Sequence, residues 1–272
     1  MITKQHRLID AEKDPAANEL LQAFTSIDIV RRMFFPLRHF KLETLSKLPG
    51  GMFNNMHDFL NGEPNVFPIG HERRSPLWDS DMPYDIGGQR PYIVSYYIEK
   101  EAPAVLVVPG GSYTGVAIHH EGQLVAKALN ALGYHAVILR YRTSPNRYPS
   151  SHLDIYRAMQ LIRKKADKNK VITDRVYAMG FSAGGHLVAS MIGVYEELKE
   201  QSGELRDVPA LPNGLILGYP LINFEFKVFG VSAGIFLLGS KYDKSLAAKI
   251  SAQNLVDENF VPTYQWSLKD DP

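Results

Sequence analysis

Val176-Tyr-Ala-Met-Gly180-Phe-Ser182-Ala-Gly184-Gly-His186-Leu-Val-Ala-Ser190 is the stretch on which the reading of this chain turns. A β-rich run, Arg175 to Met179, enters it and an amphipathic helical run, Ala183 to Tyr195, leaves it. A bare Gly-x-Ser-x-Gly pentapeptide says little. Set between a strand and a helix it reads as a nucleophile elbow, in which a strained turn exposes the Ser182 hydroxyl. Gly180 and Gly184 remove side chains that would collide across so tight a bend. The helix that follows aims its free N–H groups and positive dipole end at the charge that develops in acyl transfer.

Working upstream, β and α textures alternate, the pattern of a largely parallel sheet flanked by helices. Strands are expected over Tyr92 to Ile98, Ala104 to Val108, His135 to Arg140, Leu215 to Leu217 and Thr263 to Ser267. Helices are expected over Glu121 to Leu132, where Gly133 stops the run, and over Ser150 to Ala166. The strand at Ala104 ends in Val107-Val-Pro109-Gly110-Gly111-Ser112-Tyr113, ahead of the serine. A glycine loop in that place supplies a backbone N–H which, with that of the residue after the nucleophile, binds a tetrahedral oxyanion. The donors are then Gly111 or Ser112, together with Ala183. A phosphate-binding reading of the loop lacks both the Walker lysine and the dinucleotide glycine pattern.

Residues 1–75 have a different texture. Asp14-Pro15 signals a helix start, and Leu20, Phe24, Ile27, Val30 and Phe34 recur at helical spacing before Pro36. A weaker pattern through Phe40, Leu45 and Leu48 stops at Pro49-Gly50-Gly51, and the following residues to 76 read as a connector. An N-terminal helical extension, 1–75, thus precedes a domain over 76–272. Its apolar stripe is expected to pack on that domain, with a lid or a dimerisation arm, and hence a homo-oligomer, as the alternatives.

Composition narrows the partners. Thirty Lys and Arg balance 29 Asp and Glu, so no charge footprint for nucleic acid or an anionic membrane stands out. A small molecule is the expected partner. There is no cysteine, which removes disulfides, thiolate metal sites and a cysteine nucleophile. The opening residues carry no signal-peptide pattern and no run reaches membrane-spanning length, so a soluble cytoplasmic protein is expected.

With these pieces in place, residues 76–272 resemble the acetyl esterase and lipase group of the α/β-hydrolases, which is related to bacterial feruloyl and acetyl-xylan esterases. The matching pieces are Pro109 to Tyr113, Glu121-Gly with Val125-Ala126 and Leu129, Gly133-Tyr, Leu139 to Arg142, Tyr148-Pro149 with Asp154, Gly180 to Leu187, Gly218 to Pro220, Pro262 to Trp266, and Asp270-Asp271-Pro272. Ser112 departs from the glycine usual in relatives, although a backbone donor survives that change. The resemblance implies an α/β-hydrolase fold and a serine carboxylesterase of short acyl groups, often on sugars, that needs no cofactor. It also implies an acid after the serine, for which Asp271 is the better match and Asp270 the alternative. The carboxylate would hold the tautomer of a histidine and stabilise its imidazolium.

No histidine follows that acid: all nine precede Asp271. The base is therefore expected beyond residue 272, with the last strand and helix of the fold missing from these residues. His186, one helical turn after Ser182, is expected to turn inward as a structural residue. His119-His120-Glu121 read as loop or helix-cap residues rather than a metal site, since adjacent side chains rarely converge on one ion. Arg142 and Asp154 read as a structural ion pair. The alternatives to an esterase are a binding or regulatory homologue without a working triad, and a peptidase or amidase of the same fold.

Overall fold

The computed structural model describes residues 74–78, 89–224, 230–239, 244–258, 260–267 and 269, with 10 and 13. The chain divides into two units, Met1–His71 and Glu72–Pro272. The apolar stripe from Leu20 to Phe34, and Asp270 and Asp271, lie outside the described residues.

Among the described residues of the second unit, seven strands form one sheet in the order β1-β2-β4-β3-β5-β6-β7. They are β1 (Arg74–Pro76), β2 (Tyr92–Tyr96), β3 (Ala102–Val108), β4 (His135–Arg140), β5 (Val171–Phe181), β6 (Leu215–Gly218) and β7 (Thr263–Trp266). β1 and β2 run antiparallel to their neighbours, while β4, β3, β5, β6 and β7 are mutually parallel. The helices are α1 (Leu124–Ala131), α2 (Ser150–Lys164), α3 (Ala166–Asn169), α4 (Ala183–Gly193), α5 (Tyr195–Glu200), α6 (Gly230–Leu238) and α7 (Lys244–Ile250). This is the largely parallel, helix-flanked sheet expected from the alternation of textures, in the α/β-hydrolase arrangement that the resemblance implies.

Period-two alternation explains why the sheet is covered on both faces. Ala104, Leu106 and Val108 of β3, with Val137 and Leu139 of β4, join Leu153, Met159 and Leu187 of α2 and α4 in one core. Val105, Val107, Ala136 and Ile138 point the other way and pack with Ala126 and Leu129 of α1. The parallel strands deliver their C-terminal ends to one edge of the sheet, where β3 runs into Pro109-Gly110 and β5 into Ser182.

Several elements differ from the expectation. β1 falls in what reads as a connector, because three residues that include a proline carry no alternation. β5 is longer than Arg175 to Met179 because Val171 pairs with Ala102 beyond a register shift. The helix expected from Glu121 begins as a π-helical turn, Ile118–Gln123, before α1. α3, α5, α6 and α7 are absent from the sequence reading as separate helices.

Candidate active site

The backbone locates the site. Ser182 stands between β5 and α4 with φ 50° and ψ −120°, a conformation that costs a non-glycine residue about 1–3 kcal/mol. Three hydrogen bonds hold it there. Its N–H donates to the Gly218 carbonyl at 3.1 Å, and its carbonyl accepts from the His186 and Leu221 N–H groups at 3.1 and 3.0 Å. A side chain at Gly184 would place its Cβ 2.1 Å from the Val108 carbonyl oxygen, and one at Gly180 would sit 2.5 Å from that of Gly184. Glycine at these two positions is thus required by close backbone approach. Ser182 itself is half-buried and open to solvent at the strand ends.

The loop after β3 lies directly against the serine: a Cβ at Gly110 would come within 2.9 Å of the Ser182 Cβ. Gly111, Ser112 and Tyr113 follow with φ of 135°, 52° and 59°. The Gly111 carbonyl accepts from the N–H groups of Thr114 and Gly115, and the Gly110 carbonyl from that of Ala117. Among the described residues, the N–H groups of Gly111, Ser112 and Ala183 have no acceptor. Ala183 opens α4, so its N–H is one of the donors a helix start leaves unused. The sequence-derived oxyanion donors and the serine are therefore brought to one place.

A carboxylate to which the sequence assigned only a loop or helix-cap role also belongs to this place. Glu121 Oε2 accepts from the Gly110 N–H at 2.6 Å, and its Oε1 accepts from the Tyr219 hydroxyl at 3.0 Å. Tyr219 has φ 34°, follows β6, and packs edge-on against Trp266 with centroids 5.1 Å apart. The signals available were the Glu121-Gly and Gly218-Tyr-Pro pieces of the family resemblance, neither of which names a contact.

Of the five histidines among the described residues, none brings its ring into a hydrogen bond with the Ser182 hydroxyl. His186 is fully buried and turns away from the serine, as expected. Its Nε2 faces the Ile250 carbonyl at 2.7 Å and must carry the proton, so Nδ1 accepts from the Tyr113 hydroxyl at 2.5 Å. Burial pushes its pKa down to about 3, against the pull of the Ile250 carbonyl. A ring that is dry, with its lone pair already engaged, does not act as a base. His152 donates from Nε2 to Ser190 Oγ at 2.9 Å, because that hydroxyl gives its proton to the His186 carbonyl. Burial, then the neighbouring His186, holds His152 well below the ordinary imidazole range. His135 is spent on Ile98 and Lys170. His119 meets Gln123 within the π-helical turn, and burial lowers its pKa.

Arg142 and Asp154 form the structural pair the sequence suggested, both fully buried and 2.7 Å apart at the closest atoms. Asp154 also accepts from the Arg142 N–H at 2.8 Å and from Trp78 Nε1 at 2.9 Å. Among the described residues no group of three or more His, Asp or Glu could hold a metal, and no helix is long and apolar enough to cross a membrane.

The chain is similar to several known proteins. The chain is 32% identical over 171 residues to endo-1,4-beta-xylanase B of Butyrivibrio fibrisolvens, covering 61% of this chain and 27% of that protein. It is 30% identical over 163 residues to an acetylxylan esterase of Xylanibacter ruminicola, covering 58% and 31%. The matched part of the chain thus spans about a quarter to a third of the length of these curated relatives. Among solved structures, an acetyl ester-xyloside bifunctional hydrolase from Caldicellulosiruptor lactoaceticus superposes with a TM-score of 0.65 at 33% identity, over 71% of this chain and 73% of that one. The carboxylesterase Cest-2923 of Lactobacillus plantarum, at 24% identity and a TM-score of 0.59 over 72% and 70%, shares the fold. The BD-FAE family model matches residues 94–265, a span that runs from β2 through the glycine loop and the Ser182 turn into β7, and the chain belongs to that family.

Proposed function

We propose that this protein is a serine carboxylesterase that cleaves short acyl, acetyl-type esters, including those on sugars, through an acyl-enzyme on Ser182. The observation that carries the reading is the left-handed Ser182 at the start of α4, pressed against a loop whose Gly111 and Ser112 N–H groups have no acceptor among the described residues. Ser182 Oγ attacks the ester carbonyl, and Ala183 with Gly111 or Ser112 stabilises the oxyanion. Collapse of that intermediate expels the alcohol, and water then releases the acid. Asp271, or Asp270, orients the histidine that takes the serine proton. The acetyl and sugar assignment draws on the names of the acetylxylan esterase and the acetyl ester-xyloside hydrolase.

A fluorophosphonate probe on the full gene product should label Ser182 and no other serine. Turnover of p-nitrophenyl acetate should fall on the order of 10⁶-fold in Ser182→Ala, because nucleophile and base act as a unit. Labelling that persists in Ser182→Ala sinks the assignment. A second reading, a binding protein that keeps the pocket without turnover, draws on the five described histidines, none of whose rings bonds the Ser182 hydroxyl. It predicts no labelling in the wild-type protein.

A further inference from the structure

The two halves of the oxyanion site sit on different elements, one on the loop after β3 and one at the start of α4, and one buried hydrogen bond joins them. Ser112 and Tyr113 both hold left-handed backbone, which costs about 1–3 kcal/mol each and persists only where surroundings over-determine it. For Tyr113 those surroundings are visible. Its carbonyl accepts from the Ser144 N–H at 2.8 Å, and its ring, 1% exposed, is packed edge-on by Tyr141, His186 and Phe224. Its hydroxyl then reaches His186 Nδ1. His186 is fixed in its Nε2–H tautomer by the Ile250 carbonyl, and its own N–H bonds the Ser182 carbonyl one turn back. Beside the direct packing of Gly110 on Ser182, a hydrogen-bonded path from the loop donors to the serine and to Ala183 therefore runs through the Tyr113–His186 bond.

Resting on the esterase reading of Ser182, we infer that Tyr113 is a positioning residue, whose hydrogen bond to His186 sets the spacing between the loop donor and the Ala183 donor of the oxyanion site. The hydroxyl touches no substrate. Its role is to keep two N–H groups on separate elements aimed at one developing charge, where a misplacement near 1 Å costs on the order of 10²-fold.

Tyr113→Phe keeps the buried ring and removes only the donor. In the full gene product, with turnover normalised to sites titrated by fluorophosphonate, kcat for p-nitrophenyl acetate should fall roughly 10- to 100-fold with KM little changed. Affinity for an alkyl boronic acid, which mimics the tetrahedral intermediate, should fall in proportion. A merely structural tyrosine would lower the thermal midpoint and the titratable fraction but leave normalised kcat alone. In a cycle with His186→Gln, the double variant should lose no more kcat than the worse single variant; losses that multiply would overturn the coupling. A measurement without any variant guards against misfolding: ¹⁵N NMR should show His186 protonated at Nε2 and bare at Nδ1, with Nδ1 shifting when the boronic acid binds. An Nδ1–H tautomer, or no shift, refutes the inference. If Ser182→Ala abolishes turnover while Tyr113→Phe retains normalised kcat, only this inference falls. If Ser182→Ala retains turnover, the esterase reading falls and takes this one with it.

Discussion

Acidification should destabilise this protein through its buried histidines before its carboxylates titrate. His152 and His186 are both 0% exposed and are held neutral, chiefly by burial. His186 faces Tyr113, Phe224 and the Ile250 carbonyl, while His152 faces Tyr148, Ser190 and His186. Neither hydrogen-bonds a carboxylate that would stabilise its charged form. Both folded pKa values are depressed, whereas in the unfolded chain each ring titrates near 6.5. Below that pH the unfolded state binds two protons that the native state refuses, so stability must fall as pH falls. The window opens near 6.5 and, for His186, closes near 3. Each ring contributes up to about 1.4 kcal/mol per pH unit, or about 1.6 kcal/mol between pH 6.5 and 5, so the pair accounts for about 3 kcal/mol. Urea unfolding at a series of pH values over that range gives the slope directly. His186→Gln, whatever it costs at pH 7.5, should reduce the slope by about half. A flat wild-type profile above pH 5, or a full slope retained in His186→Gln, would refute the reasoning.

Other perturbations test the frame around the site. Gly184→Ala puts a Cβ 2.1 Å from the Val108 carbonyl and 2.6 Å from that of Pro109, both backbone atoms, so about 3 kcal/mol or more of stability should be lost, read as a lowered midpoint in urea. Asp154→Asn strands the buried Arg142 guanidinium and should cost about 3–5 kcal/mol, a fall of roughly 6–20 °C in Tm, whereas replacing both partners by apolar residues of similar volume should recover most of it. Residues 1–272, in which no described histidine ring bonds the Ser182 hydroxyl, should turn over p-nitrophenyl acetate only about 10³- to 10⁴-fold above water, the level an oxyanion site reaches without a paired base. The same polypeptide should self-associate in sedimentation through β7, whose four residues are all exposed and include Tyr264 and Trp266, and Tyr264→Lys should weaken that association.

The elements legible in the sequence were those whose own residues decide them. β4 matches its expected limits because His135 to Arg140 is a short apolar run stopped by Gly133 on one side and the Arg142 segment on the other. α2 follows from an apolar periodicity that begins after Pro149. The Ser182 turn was legible because glycine spacing reports backbone approach, and the loop at Gly110 because its place after a strand does. What escaped depends on partners far along the chain. Glu121 is an unremarkable acid until folding brings Gly110 and Tyr219, 98 residues on, to its two oxygens. Tyr113 reads as one more core aromatic until His186, 73 residues on, receives its hydroxyl. α6 was missed for the opposite reason, since an almost uniformly apolar run from Val231 to Leu238 has no polar face to mark its period.

Backbone strain marks the same site independently of any motif. Among the described residues, five that are not glycine have positive φ: Ser112, Tyr113, Lys170, Ser182 and Tyr219. Lys170 ends α3 as an ordinary left-handed cap. The other four belong to the three strand ends that meet at the serine, after β3, β5 and β6. Three of them are tied by bonds that their own strand does not supply. Tyr113 is held by Ser144 and His186, Ser182 by Gly218 and Leu221, and Tyr219 by the Trp266 carbonyl and Glu121. Four residues at about 1–3 kcal/mol each put a sizeable fraction of a domain's 5–15 kcal/mol of net stability into conformations that make no direct contribution to the core. Such strain is retained where geometry, not stability, is the quantity being held. The consequence is directional at the exposed Ser112: replacing it by glycine would relieve strain but free the loop, so a stability that rises or holds while normalised turnover falls is the signature expected there, and Lys170→Gly should change stability alone.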